Sequence, residues 1–364
     1  MEIDADIRRA WTLPGRFYAD PAVYERTRDA VFARSWQLVA DVESVRLPGQ
    51  VHPVTLLEGC LDEPIVLTRD RSDALHCLSN VCTHRGTLVA EAPDRATCLT
   101  CRYHGRRFEL DGRLRSMPEF EQCEGFPTEK DNLPRVPMAV WRTFIFAGLA
   151  PRFDFEELSA EMDRRVGFLP IEQARFDPTR SRDYLVKCNW ALYVENYLEG
   201  FHIPFVHASL AAALDYGQYR TETYRYSSLQ LGVSRGGEDV FELPGDSPDA
   251  GSTIAAYYYW LFPNTMLNFY PWGISVNVVR PLGVDRTRVS FRSYVWDESR
   301  ISTGAGAELD RVEREDEAVV EAVQRGVRSR LYDRGRYSPT REQGVHHFHR
   351  LLAEWVGLGG HESG

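Results

Sequence analysis

The chain has 364 residues, 43% of them apolar, a formal net charge of −10 and seven cysteines. That length exceeds one ordinary core and predicts two domains, and the acidic balance excludes a surface built for nucleic acid or an anionic membrane. No apolar run reaches the ~20 residues that span a bilayer, the opening "MEIDADIRRAW" lacks a signal-peptide core, and an odd number of scattered cysteines makes no disulfide framework, so the expectation is a cytoplasmic protein whose clustered cysteines hold metal.

In chain order, "DPAVYERTRDAVFARSW" places Val23, Val31, Phe32 and Trp36 at helical spacing behind Asp20 and Pro21, an N-cap followed by proline in the first turn. Residues 1–37 are therefore read as a helical segment. From 38 to 150 the pattern changes to short β-branched and aromatic stretches such as "PVTLL", "PIVLTR" and "RTFIFAGL", broken by Gly, Pro and Asp turns, which predicts a small all-β domain. "LAPRFD" marks a boundary, and residues 151–364 form the second domain. There "FDFEELSAEMDRRVGFL" is helical, and "DYLVKCNWALYVENYLEGFHIPFVH" begins as a strand and turns helical after Asn189 and Trp190. "SLQLGVSR", "TIAAYYYWLF", "TMLNFYPWGISVNVVRPL" and "RTRVSFRSYVW" read as antiparallel strands, and two helices close the chain. The fold class expected is α+β.

The first chemistry-bearing constellation lies in the β domain. "NVCTHRG" carries Cys82 and His84, and "CRYHGRRF" carries Cys101 and His104. A structural zinc site usually puts two cysteines on one loop and two histidines on another. Here each loop offers one of each, which suits a Rieske [2Fe–2S] cluster, where two cysteines hold one iron and two histidines the other. Neutral imidazole in place of thiolate raises such a cluster to roughly −150 to +300 mV, against about −400 mV for plant-type clusters. Gly86 and Gly105, each after its histidine, allow a tight turn and close backbone approach. The rival pairing of Cys98 with Cys101 lacks a second CxxC to complete a zinc site.

The second constellation is less explicit. His202 and His207 are five apart, about 140° around an ideal helix, so their rings converge only if the helix is distorted; Pro204 between them permits that. The residues alone fit either two core histidines or two arms of a 2-His-1-carboxylate iron site, which leaves open positions for oxygen and substrate. The acids of "VEREDEAVVEAVQRGVRS" could equally form a solvated helix face, and spacing does not choose among them. "HHFH" at 346–349 has no cysteine or carboxylate at ligand spacing and reads as packing or trimer contact.

"NVCTHRG" with "CRYHGRRF" resembles the Rieske segment of the α subunits of Rieske non-haem iron oxygenases, the aromatic-ring-hydroxylating oxygenase family, whose usual form is C-x-H-R-G and then C-x-x-H-G-W; Arg106 stands where the tryptophan usually does. The likeness runs nearly the whole chain and is nearest to the choline monooxygenase-like branch, through "ENYLEGFHIPFVH" and "VQRGVRSRLYDRGRYS". It implies an all-β Rieske domain and a helix-grip catalytic domain with an antiparallel sheet, a homotrimer, a [2Fe–2S] cluster and a mononuclear Fe(II). It also selects the acid. Asp316 matches the iron-binding aspartate, fixed by Glu321, Gln324 and Gly326 downstream, with Glu313, Glu315 and Glu317 set aside. Glu199 matches the acid bridging the two metal centres, expected to bond His202 and a cluster histidine, His104 of the partner subunit; Glu195 and Asn196 are alternatives that more simply support the helix.

The sequence contains no G-x-G-x-x-G after a strand, so NAD(P)H and flavin belong to a separate reductase or ferredoxin system. The activity implied is that of a terminal oxygenase: O2 and two electrons hydroxylate a small substrate, expected to be a quaternary amine attacked at a carbon next to nitrogen, giving an aldehyde or a demethylated amine. Ring dioxygenation or demethylation of an aromatic substrate is the alternative, and a Rieske electron carrier with an inert second domain is the reading from another class. Aromatic faces hold quaternary ammonium groups, and in "AAYYYWLFPNTMLNFYPWG" strand alternation sets Tyr257 and Tyr259 on one face, Tyr258 and Trp260 on the other, without saying which faces substrate.

Overall fold

The computed structural model describes residues 2–207, 210–211, 214–236, 239–301 and 309–357. They form two compact units: Ala33–Arg152, and Phe153–Gly364 together with Met1–Phe32. The N-terminal segment joins the larger unit because helix α1 (Pro21–Ala30) packs on the last helix and Phe32 lays its ring 4.7 Å from that of Trp190. Asp20 caps α1 as its composition predicts, accepting from the Ala22 amide at 2.8 Å ahead of Pro21.

The smaller unit is all-β. Strands β1 (Gln37–Asp41), β2 (Gln50–Leu56), β3 (Glu63–Arg69), β4 (Leu75–Ser79), β5 (Asp94–Arg95), β6 (Leu99–Thr100), β7 (Arg107–Phe108), β8 (Leu114–Ser116), β9 (Met138–Trp141) and β10 (Phe144–Ala147) make three antiparallel sheets in the orders β1-β10-β9, β4-β3-β2-β5 and β6-β7-β8. Cys82 follows β4 and Cys101 opens the β6–β7 turn. Both are buried in one apolar cluster with Val66, Leu78, Leu99 and Phe108.

The larger unit is built on a seven-stranded antiparallel sheet of β11 (Arg175–Val186), β12 (Arg220–Thr223), β13 (Ser227–Val233), β14 (Ile254–Leu261), β15 (Thr265–Tyr270), β16 (Gly273–Gly283) and β17 (Arg286–Val295), ordered β11-β17-β16-β15-β14-β13-β12. Its helices are α2 (Glu156–Val166), α3 (Trp190–Tyr197), the single turn α4 (Ile203–Val206), α5 (Leu309–Gly326) and α6 (Gln343–Val356). Helix α3 packs against β16 and α5. Two side chains of α5 fasten the chain entering α3: Glu321 accepts from the Lys187 amide at 3.0 Å and Gln324 from the Asn189 amide at 2.6 Å, while the Asn189 side chain caps α3 through Ala191. The residues that the resemblance used to fix the register of α5 thus set where α5 lies along α3. Gly326 does no comparable work, since a Cβ there would meet open space.

Candidate metal centres

In the smaller unit the two loops carry the same hydrogen-bond pattern. The Cys82 amide donates to Thr87 O at 2.8 Å and the Gly86 amide to Cys82 O at 2.9 Å; the Cys101 amide donates to Arg106 O at 2.8 Å and the Gly105 amide to Cys101 O at 3.0 Å. Each turn closes through a glycine at positive φ, +73° for Gly86 and +74° for Gly105, a conformation that costs other residues strain. The repeated geometry brings like to like. The Cys82 and Cys101 thiols lie beside each other, buried at 3% and 2% exposure, and burial raises the Cys82 thiol above its usual range. Farther out, His84 Nδ1 and His104 Nδ1 are 3.1 Å apart. Burial, then the neighbouring His104 and Arg106, lowers the pKa of His84 and favours neutral imidazole, the form that binds metal. An inner sulfur pair and an outer nitrogen pair are the donor set of a Rieske cluster and fit it. Cys98 is not part of this group; its sulfur lies 3.8 Å from the Thr100 hydroxyl.

Arg106 is 2% exposed. Its guanidinium donates to Asp131 Oδ1 at 2.7 Å and Asp131 O at 3.1 Å, and lies over the rings of Phe126 and Phe108 at 5.5 and 5.7 Å. A flat, delocalised group thus fills an aromatic-lined space next to the second loop. Thr83 of the first loop donates to the same Asp131 O at 2.7 Å, so Asp131 ties both loops together.

In the larger unit the distortion that two converging histidines need begins before Pro204. Helix α3 ends at Tyr197, the chain turns through Gly200, and α4 starts at Ile203 with His202 as its N-cap and His207 as its C-cap. Only glycine fits at 200, because a Cβ would fall 2.6 Å from the Tyr219 ring. The two imidazoles come within 5.0 Å, and one donor atom each from His202, His207 and Asp316 lies within 4.8 Å of the others. Asp316 Oδ1 is 3.0 Å from His207 Nε2, 3.4 Å from His202 Nε2, and accepts from Asn196 Nδ2 at 2.6 Å. Two nitrogens and a carboxylate aimed at one point suit an iron(II) facial triad.

Both histidines are oriented from behind. Glu199 Oε1 lies 2.7 Å from His202 Nδ1, and its Oε2 accepts from the His202 amide at 3.1 Å and from the Phe201 amide. Glu315 Oε2 lies 2.7 Å from His207 Nδ1. Carboxylates in such places fix the ring tautomer and raise ligand basicity. The resemblance sets Glu315 aside in selecting Asp316, and no signal in the sequence marks it as the partner of His207; Asn196 is assigned there to helix support, although its amide holds the candidate ligand. Glu195 faces away, 2.9 Å from His349 Nε2. His349 also meets the Tyr337 hydroxyl at 2.6 Å, His346 bonds Asp4 O at 2.8 Å, and burial lowers the pKa of His347 to about 4, so "HHFH" is packing against the N-terminal segment and the sheet.

A cavity of about 110 Å³ opens over the triad, lined by Tyr197, Tyr219, Tyr258, Tyr270 and Phe291 among others. The two faces of β14 divide accordingly. Tyr258 faces this cavity and Trp260, on the same face, packs against Phe348 of α6, whereas Tyr257 bonds Asp249 at 3.1 Å on the other side. Most polar wall atoms bond one another, such as Tyr197 with Asn268 at 2.7 Å and Tyr219 with Gln230 at 3.2 Å, so the walls present rings rather than free donors.

Comparison with known proteins finds a family for each unit. Residues 35–130 match the Rieske [2Fe-2S] domain family and residues 172–358 the ring hydroxylating alpha subunit catalytic domain. The chain is 31% identical to chloroplastic choline monooxygenase of Arabidopsis thaliana, over 95% of this chain and 83% of that protein. It is also 31% identical to the carnitine monooxygenase oxygenase subunit of Escherichia coli K12, over 96% and 95%. Among solved structures, the quaternary ammonium Rieske monooxygenase CntA with a bound inhibitor superposes with a TM-score of 0.79 at 25% identity, covering 98% of this chain and 99% of that one. No helix among the described residues is long and apolar enough to cross a membrane. With a Rieske-type loop pair in one unit and an iron-type triad in the other, and with relatives alike over almost their full length, the chain belongs to the Rieske non-haem iron oxygenases, as a monooxygenase component that carries a [2Fe–2S] cluster and a mononuclear iron and takes electrons from a separate protein.

Proposed function

We propose that the chain hydroxylates a small quaternary ammonium compound, with Cys82, His84, Cys101 and His104 holding the cluster and His202, His207 and Asp316 holding the iron. The convergence of that triad on the floor of an aromatic-lined cavity carries the reading. The metals, when bound, supply the activation of O2 with two electrons passed from the cluster side. The protein's own residues do the rest. Glu199 and Glu315 hold the two imidazoles in the tautomer that presents Nε2 to the cavity. The tyrosine rings and Phe291 receive a cation on their faces, at roughly 0.5 to 2 kcal/mol per contact, and keep bulk water from the reacting carbon.

The enzyme acts as a homotrimer in which Glu199 connects His202 to His104 of the partner subunit; the exposure of His104 at the surface of its own unit supports this. A cytoplasmic, reducing location is supported by the buried thiols of Cys82 and Cys101, which a cluster needs in reduced form. The test supplies the purified protein with a compatible reductase and NADH, then offers choline, carnitine, betaines and aromatic acids while product and oxygen are measured together. Coupled product from a quaternary amine is expected. Product from an aromatic acid alone, with uncoupled or no uptake from every quaternary amine, refutes the substrate and leaves the iron chemistry standing.

A further inference from the structure

Three carboxylates line the cavity, and two are committed to the iron-site histidines. Asp316 meets both histidines and Asn196, and Glu199 uses one oxygen on the His202 ring and the other on backbone amides. Glu313 differs. It is 3% exposed, its Oε2 accepts from the Tyr193 hydroxyl at 2.5 Å, and its Oε1 is buried with no hydrogen-bond partner. A buried acceptor left open is costly and is rare without a reason such as a bound ligand. Among the described residues that line the cavity there is no lysine or arginine to balance it. The charged side chain beside it in sequence, Arg314, is two-thirds exposed and turned to Asp310 at 3.2 Å.

Resting on the substrate class proposed above, we infer that Glu313 is the counter-charge for the cationic end of the substrate, and that the cavity selects a quaternary amine carrying no carboxylate of its own. A trialkylammonium group has no N–H to donate, so its recognition divides between ring faces and a nearby anion. Here Tyr258, Tyr270 and Phe291 supply rings and Glu313 supplies the anion. Binding of a cation offsets the desolvation that otherwise makes a buried carboxylate unfavourable. A zwitterion such as carnitine brings a second carboxylate into a cavity whose lining offers it no cation, beside Glu313, Glu199 and Asp316. That carboxylate would be desolvated without a partner, so the cavity discriminates against it. Choline, whose far end is a neutral hydroxyl, brings no such charge.

The experiment measures binding to the fully metallated enzyme by calorimetry, using choline, carnitine and 3,3-dimethylbutan-1-ol, the uncharged carbon isostere of choline. Wild type should bind choline at least about tenfold more tightly than the isostere, as an attraction between opposite charges in a partly desolvated site requires, and more tightly than carnitine. Glu313→Gln keeps the size and the acceptor for Tyr193 but removes the charge, and should cut the ratio of choline to isostere by about tenfold, leaving the share that the ring faces supply. Glu313→Asp keeps the charge and should keep the preference for choline. A ratio unchanged in Glu313→Gln, while wild type binds choline, overturns the role of Glu313 and leaves the substrate class intact. Carnitine bound by wild type as tightly as choline overturns the selection against carboxylates, and this arm needs no variant to fold. Binding of neither quaternary amine to wild type overturns this inference and the substrate reading together. The iron content of each variant, measured alongside, shows that the ratios compare equally loaded proteins.

Discussion

Replacing Glu315 by alanine probes the least expected member of the iron site. His207 is 1% exposed, so its Nδ1 has little access to water, and the facing oxygen of Glu315 at 2.7 Å is its partner. Leaving a buried imidazole N–H without an acceptor costs about 1–3 kcal/mol, or about 5- to 150-fold in metal affinity at 1.4 kcal/mol per tenfold. Measured losses for outer carboxylates of metal-bound histidines fall at about 10- to 100-fold. The Glu315 side chain is 27% exposed, so water can enter the space it vacates and recover part of the bond. The expected weakening is therefore toward the lower end, about 10- to 30-fold. Glu315→Gln, which keeps an acceptor but no charge, should lose less. Competition with a chelator for Fe(II), with the visible absorption of the cluster as an internal standard, reads the effect. Unchanged affinity in Glu315→Ala would refute the reasoning and reduce Glu315 to the partner of Arg311, 3.3 Å away on the helix surface.

Asp316→Ala should lower iron from about three to about two per chain while the cluster spectrum is intact, because the two sites share no ligand; retained turnover would show that another acid binds the iron. In Glu199→Gln both metals should remain while oxidation of the reduced cluster in a single turnover slows by about 10-fold or more, since His202 loses a charged partner; the wild-type rate would sink that role. Arg106→Leu should destabilise the cluster unit by about 2–3 kcal/mol, less than the 3–5 of a wholly buried pair, because Asp131 keeps 21% exposure and its bonds from Thr128. The amide of Thr128, and then Arg106, holds the Asp131 carboxyl below its usual range. The sign follows: the stabilisation is complete above the unfolded value near ~3.9 and is lost as pH falls through the lower folded one. Denaturant midpoints of wild type and variant, followed by cluster absorption, should differ by a constant amount from neutral pH to about 5 and converge only in stronger acid.

How much of this was legible in the sequence depends on whether the chemistry is local. The cluster loops were readable because each packs a sulfur, an imidazole and a glycine into five residues, and the glycines adopt the positive φ their position requires. The Asp20 cap and the strands around Tyr257–Trp260 were readable for the same reason. What periodicity could not supply was which face of β14 meets the cavity. That depends on helices α3 and α5 covering one side and on Asp249 with Arg165 occupying the other, where Tyr257 meets Asp249 at 3.1 Å and Arg165 meets it at 3.0 Å. Both covers are brought in from distant parts of the chain.

The acids of α5 show the limit most clearly. Charge patterning allows Glu313, Glu315, Asp316 and Glu317 to form one solvated face, yet residues three apart share a helix face and adjacent ones diverge by about 100°. Glu313 and Asp316, three apart, both turn to the cavity; Glu315 turns to the back of His207; Asp310 reaches the Tyr184 hydroxyl at 2.6 Å. Only the rotation and height of α5 assign these roles. Those are set by Glu321 and Gln324, which clasp backbone amides 134 and 135 residues earlier in the chain. A slip of one residue in that clasp would carry Asp316 off the triad and present Glu315 or Glu317 instead. The identity of the metal-binding acid is thus a property of how two helices register, and a variant that breaks the clasp, such as Gln324→Ala, should weaken iron binding although it touches neither the metal nor its ligands.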